Sequence, residues 1–109
     1  MMDEAQFNAL ADATLDAIER TLDACEANLD YELKPGGVLE LEFDDGSKVI
    51  VNRHSAAREI WVAARSGGFH FRPQDGYWVG TRDGEGLFEA LSRVISEQAG
   101  ETVHLSRPD

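Results

Sequence analysis

Residues 38–52 read VLELEFDDGSKVIVN, and this stretch decides the fold. From Val38 to Phe43 apolar and acidic residues alternate, with Leu39, Leu41 and Phe43 on one side and Glu40 and Glu42 on the other. That period of two is a strand with one dry face. Lys48-Val49-Ile50-Val51-Asn52 is a second strand, and Asp44-Asp45-Gly46 is the turn between them. A two-residue loop would set Glu42 opposite Val49 and mix the faces. A three-residue loop with Gly46 in the left-handed region sets Leu41 opposite Val49 and Glu42 opposite Lys48. The pattern therefore predicts an antiparallel hairpin whose outer face carries Glu40, Glu42, Lys48, Ile50 and Asn52.

Working outward, Asp30-Tyr31-Glu32-Leu33 alternates before a Lys34-Pro35-Gly36-Gly37 turn. Further strands read at Glu59–Arg65, Gly68–Arg72 and Tyr77–Gly80, separated by Ser66-Gly67-Gly68 and Pro73-Gln74-Asp75-Gly76. Before them, Phe7, Leu10, Ala11, Leu15, Ile18, Leu22, Cys25 and Leu29 keep the spacing of an amphipathic helix, predicted over Asp3–Asn28. After them, Leu87, Leu91, Val94 and Ile95 mark a second helix over Glu85–Ala99, stopped by Gly100. The tail Thr102–Leu105 is short, with room for an extended segment. Short connections imply an antiparallel sheet, and two one-sided helices must cover the same face of it. The expectation is an α+β protein: a two-layer α/β sandwich in a single domain over residues 1–109, with the other sheet face left to solvent or partners.

A chain of 109 residues with 42% hydrophobic and 28% charged content suits one soluble domain and argues against a membrane span. The start, MMDEAQF, is acidic, so no signal or transit peptide is expected. The lone Cys25 cannot form an internal disulfide, which fits a reducing cytoplasm. Residues 1–45 hold 13 acids and two bases, Arg20 and Lys34, whereas residues 46–109 hold eight of each. The whole net charge of −11 thus belongs to the N-terminal part. Its sign excludes a phosphate-binding footprint for DNA or RNA and favours cations or a basic protein surface.

Asp12, Asp16, Glu19, Asp23, Glu26 and Asp30 follow three- and four-residue spacings, so on one helix they would point within roughly 40° of one direction. Each follows an apolar position by one residue, placing the stripe along the edge of the buried face. Like charges at these spacings cost a few tenths of a kcal/mol each. A solvated face is the bland alternative; the near absence of bases and the nearby Glu32, Glu40, Glu42 and Asp44 favour a functional one. Exposed carboxylates a turn apart hold hard cations weakly, with most waters retained. No EF-hand loop or Cys/His zinc pattern is present.

In Ile60-Trp61-Val62-Ala63-Ala64 alternation turns Trp61 outward, near Asn52. It is either an interaction anchor or a cross-strand packing aromatic. Trp78 reads as structural. His54, His70 and His104 show no mutual ligand spacing, and Cys25 falls on the apolar helix stripe. With no phosphate loop, nucleophile elbow or Ser-His-Asp order, the expectation is a binding protein and not an enzyme.

Phe7-x-x-Leu10-Ala11-Asp12, Gly37-Val38-Leu39, Gly46-Ser47-Lys48-Val49-Ile50-Val51-Asn52-Arg53, Ile60-Trp61-Val62-Ala63, Ser66-Gly67-Gly68 and Gly100-Glu101-Thr102-Val103 together resemble the bacterial frataxins, the CyaY-type proteins. The resemblance runs nearly end to end. It implies the same sandwich, weak binding of ferrous and ferric iron on an acidic ridge, and a part in iron–sulfur cluster assembly beside a cysteine desulfurase and its scaffold protein. By position, the metal ridge would be Asp16, Glu19, Asp23, Glu26, Glu40, Glu42 and Asp44. The partner surface would centre on Asn52, Arg53 and Trp61, with Glu19 and Asp23 shared. Two mechanisms follow, an iron donor or iron-dependent regulator and a metal-independent acidic adaptor. Ferroxidase chemistry has no defined centre. The expected state is a monomer, with iron-dependent oligomers as the alternative. Arg20 and Ala24 stand where relatives often carry a second consecutive acid, and His54 stands where glutamine is common.

Overall fold

The computed structural model describes residues 2–107; residue 1 and residues 108–109, the ends of the expected domain, lie outside the described residues. The order is α1 (Glu4–Ala24), β1 (Leu29–Lys34), β2 (Val38–Phe43), β3 (Lys48–His54), β4 (Glu59–Ala64), β5 (Gly67–Gln74), β6 (Tyr77–Gly80) and α2 (Leu87–Ala99). The six strands form one antiparallel meander, each beside its neighbours in sequence. The hairpin register is the expected one, with Leu41 opposite Val49 and Glu42 opposite Lys48. Gly46 sits at φ +84°, a left-handed conformation that glycine adopts without a Cβ penalty. Its N–H donates to the Phe43 carbonyl at 2.9 Å, closing the three-residue loop.

Alternation sends Leu39, Leu41, Phe43, Val49, Val51, Ile60, Val62 and Phe71 to the inner face, where α1 and α2 lie over them. Phe7 and Trp78 meet edge to face at 5.9 Å, and the Trp78 indole N–H donates to Thr14 Oγ1 at 2.7 Å. Trp78 is thus the structural aromatic anticipated, its polar atom satisfied inside the core. Among the described residues no helix is long and apolar enough to cross a membrane.

Helix α1 starts as read, with Asp3 and Gln6 forming a capping box, but it stops four residues early. Cys25 is already extended at φ −86°, ψ 152°. Two causes converge. Residues 25–28 are needed to bring Leu29 opposite Phe43 in the sheet. Continuing the helix would also stack Glu26 on Asp23 at the negative end of the helix dipole, with no basic residue in the last turn to offset them. Glu26 therefore lies beyond α1, Asp30 lies in β1, and Cys25 is only partly buried. Helix α2 begins two residues later than read because Glu85 remains in the loop, its carbonyl accepting from Gly80 N.

Two polar devices fasten α2. Gln98, 7% exposed, accepts from Arg65 N at 2.9 Å and donates to Ser47 Oγ at 3.0 Å and the Lys48 carbonyl at 3.2 Å. Gln98→Leu strands the Arg65 N–H, so urea unfolding should show a loss of about 1–3 kcal/mol with an unchanged slope. The tail, extended but in no strand, runs back along α2. Val103 N and Leu105 N donate to Ser96 Oγ and Ser92 Oγ at 2.8 and 2.9 Å, and both apolar side chains are buried.

Candidate functional site

Four of the stripe acids share α1: Asp12, Asp16, Glu19 and Asp23. Glu26 follows in the loop, and β1 forms the adjacent edge of the sheet. Because opposed residues in an antiparallel pair share a face, Asp30 beside Glu42 and Glu32 beside Glu40 point to the open face, away from the helices. The expected single ridge of helix and strand acids is therefore divided. Asp16, Glu19 and Asp23 lie in the helix layer, whereas Glu40 and Glu42 lie on the far side of the sheet. The negative field passes from one to the other around the β1 edge, through Asp30 and Glu32.

Half of the ten carboxylates of the helix, loop and strands are already engaged. Arg20 pairs with Asp16 one turn away, a compensation that the near absence of bases from the stripe did not anticipate. Arg53 pairs with Asp12, Asn28 donates to Asp44, and the Tyr31 hydroxyl donates to Asp23. The Asp23 carboxylate accepting that bond, with partial burial and the charge of Glu19, pushes Tyr31 up to about 12. Lys34 and Lys48 flank Glu40 at 2.9 and 3.1 Å and hold its carboxyl below the usual range. Among the described residues Glu19, Glu26 and Glu42 make no ion pair. The holding residues Tyr31 and Asn28 carried no sequence signal, because their contacts depend on where α1 ends.

The flanked Glu40 gives a pH signature. Its folded pKa is depressed, so its stabilisation is present above the unfolded carboxylate value, about 4.3, and is lost as pH falls through the folded one. Glu40→Gln should therefore be less stable than the parent at pH 7, and the difference should shrink as pH falls below the usual carboxylate range, followed by urea unfolding across that window.

On the open face Asn52 lies opposite Trp61, and Trp61 opposite His70. Arg53 departs from the expected trio. It lies opposite Ile60 on the inner side and reaches α1. Gly37, at φ +76°, gives its guanidinium room, since a Cβ there would stand 2.9 Å from Arg53 Nε. His54 and His70, which show no mutual ligand spacing in the sequence, are brought together by the sheet, stacking on opposite faces of the indole at 3.8 and 4.5 Å, whereas His104 lies apart in the tail. The register across the β4–β5 turn was the available signal for His70.

A sandwich with two helices on one face and six antiparallel strands, carrying a divided acidic edge and an outward tryptophan, defines a narrow class. A profile of the frataxin-like domain matches residues 1–101, and the chain belongs to that family. It is 60% identical over 104 residues to the iron-sulfur cluster assembly protein CyaY of Dechloromonas aromatica, covering 95% of this chain and 99% of that protein. The protein of the same name from Ralstonia nicotianae is 55% identical over 105 residues, covering 94% and 93%. Among solved structures, frataxin from Psychromonas ingrahamii superposes with a TM-score of 0.89 at 31% identity, covering 97% of this chain and 100% of that one. Trimeric frataxin from Saccharomyces cerevisiae, complexed with ferrous, gives 0.66 at 26% identity, covering 93% and 89%.

The donor set suits a hard cation. The ridge offers carboxylate oxygens, the preference of such ions, but among the described residues no three His, Cys, Asp or Glu side chains converge as a cage.

Proposed function

We propose that this protein acts in iron–sulfur cluster assembly, as a binding protein and not an enzyme. In this reading it gathers ferrous or ferric iron weakly and reversibly along Asp16, Glu19, Asp23 and Glu26, and around the edge at Glu40, Glu42 and Asp44. It docks on a cysteine desulfurase and its scaffold protein in the cytoplasm as an iron donor or iron-dependent regulator. The observation that carries the reading is the near full-length match to CyaY proteins, joined to the concentration of the net charge at one edge. Glu19 and Glu26, held by no base among the described residues, are the helix-side carboxylates that a cation meets first. Iron bound there relieves the repulsion among its neighbours, so it raises thermal stability slightly.

The second reading is a metal-independent adaptor that modulates the desulfurase by electrostatic docking. The partnered state of Asp12, Asp16, Asp23 and Glu40 favours it, because those carboxylates would surrender existing bonds to a metal. Asn52 and Trp61 on the open face suit contact with the scaffold, whereas Arg53 joins that contact only from the sheet's end.

Cluster formation on the cognate scaffold, followed by absorbance across ferrous concentrations, separates the readings. The variant Asp16→Asn/Glu19→Gln/Asp23→Asn should lose the iron-dependent part of the effect if iron is carried, and the whole effect at every iron level if docking alone matters. An unaltered variant overturns both.

A further inference from the structure

Helix α1 has two flanks beside its buried face, and the acidic edge occupies one of them. Asp12, Asp16 and Glu19 line the flank shared with Leu33 and Lys34 of β1. The other flank borders a cavity of about 400 Å³ between α1, β6 and the start of α2. Its apolar walls are Leu10, Ala13 and Ala17 of α1, Val79 of β6, and Leu87 and Phe88 of α2. Trp78 adds only ring surface, because its N–H is satisfied by Thr14. The space exists because the facing positions are small, with Ala13 and Ala17 one turn apart on α1 and Gly84 and Gly86 in the loop before α2. A volume of this size is that of a small-molecule site, commonly about 300–1000 Å³.

Two opposite charges stand at the rim. The Arg107 guanidinium lies over the Tyr77 ring, 4.0 Å from its centroid, and Glu89 lines the same cavity. Both are exposed, and among the described residues neither forms an ion pair, with the other or with any third group. Gly86 accounts for the placing of Glu89. It is the N-cap of α2, at φ −70° and ψ 153°, with no side-chain cap. Any residue adopts that backbone, and serine or aspartate there would stabilise the helix. A Cβ at this position would collide with Glu89 Oε2. Glycine thus forgoes the cap and leaves room for the Glu89 carboxylate beside the cavity. The result is an apolar hollow with one cation and one anion at its mouth, held apart from each other.

We propose that this cavity binds a free α-amino acid with a large apolar side chain. The side chain enters between α1 and α2, Arg107 pairs with the α-carboxylate, and Glu89 pairs with the α-ammonium. Charge selects the class. A ligand with one charge attracts one rim group and repels the other, whereas a zwitterion satisfies both with charge-assisted hydrogen bonds. The site is separate from the acidic ridge and from the open face of the sheet. Its ligand touches α1, β6, α2 and the tail at once, so binding stabilises the fold.

The probe is L-phenylalanine, titrated into the intact chain carrying Trp61→Phe, which leaves Trp78 as the sole tryptophan reporter. Trp78 fluorescence should change and saturate with a Kd on the order of 1 mM, in keeping with so small a ligand. At about ten times that concentration the melting temperature should rise by roughly 3 °C or more over the same concentration of glycine. Two analogues test the rim: 3-phenylpropionate lacks the ammonium and 2-phenylethylamine lacks the carboxylate, and each should bind about fivefold or more weakly. Arg107→Gln and Glu89→Gln should each weaken L-phenylalanine by a similar factor. Ala13→Leu should fill the cavity and abolish binding while melting at or above the parent temperature, since leucine suits a helix and covers apolar surface. Absence of a saturable change overturns the proposal. An analogue that binds as tightly as L-phenylalanine overturns the zwitterion pairing, as does an unaltered affinity in Glu89→Gln or Arg107→Gln. Undiminished binding by Ala13→Leu places the ligand elsewhere and overturns the site.

Discussion

Leu105→Ala lowers the free energy of unfolding by about 2–5 kcal/mol and the melting temperature by roughly 10 °C or more for a domain of this size. A residue outside any helix or strand would ordinarily tolerate truncation of its side chain. Here it is 1% exposed, and its N–H is fastened to Ser92 Oγ while that of Val103 is fastened to Ser96 Oγ. The two serines are four residues apart on one face of α2, so they meet alternate residues of an extended chain. Deleting the Leu105 side chain opens a void that this clasp keeps from collapsing. Thermal unfolding followed by circular dichroism checks it; a shift of only a degree or two would mean that the tail contributes no packing.

Under the proposed docking, neutralising the helix rim, Asp16→Asn/Glu19→Gln/Asp23→Asn, should weaken binding to the desulfurase roughly ten- to hundredfold at low salt. The loss fades toward about 1 M salt, where the Debye length is near 3 Å. Stability should move by less than about 1 kcal/mol, because opposing changes meet in the same variant. Glu19 loses its repulsion with both neighbours, while Asp16 gives up Arg20 and the Tyr31 bond to position 23 becomes one to a neutral acceptor. Surface plasmon resonance across a salt series, with metal chelated, reads the electrostatic part directly. Affinity that ignores both salt and the substitutions would exclude the rim from the interface.

Legibility tracked how local the determining interaction was. The β2–β3 hairpin, its register and its Gly46 loop followed from alternation and one turn, so Glu40, Glu42 and Lys48 were placed on the correct face. Trp61 was placed outward for the same reason, whereas Trp78 was read as structural with no direction assigned. Helix α1 was read too long because its apolar period runs through Cys25 and Leu29, and period alone cannot register that Leu29 is required opposite Phe43. That error carried Glu26 and Asp30 onto a helix they do not join. Arg53 was grouped with Asn52 and Trp61 by the family resemblance, and alternation along β3 places its side chain on the opposite side of the sheet from theirs. The partners of the acids, Tyr31 for Asp23 and Asn28 for Asp44, come from elements whose meeting is tertiary, and no spacing rule reports it.

Strand β1 ends the sheet, so among the described residues its outer row of backbone groups has no strand beside it. Such a margin is a template for runaway polymerisation, and Leu33, 48% exposed, adds a sticky contact there. Asp30 and Glu32 stand on that margin with Glu42 and Glu40 behind them. An approaching second margin of the same kind would bring these carboxylates against their own copies. The charge proposed to draw cations and basic surfaces thus also acts as a fence between identical molecules. Acid or multivalent counterions lower the fence, and fibrous or amorphous deposits should form first under those conditions.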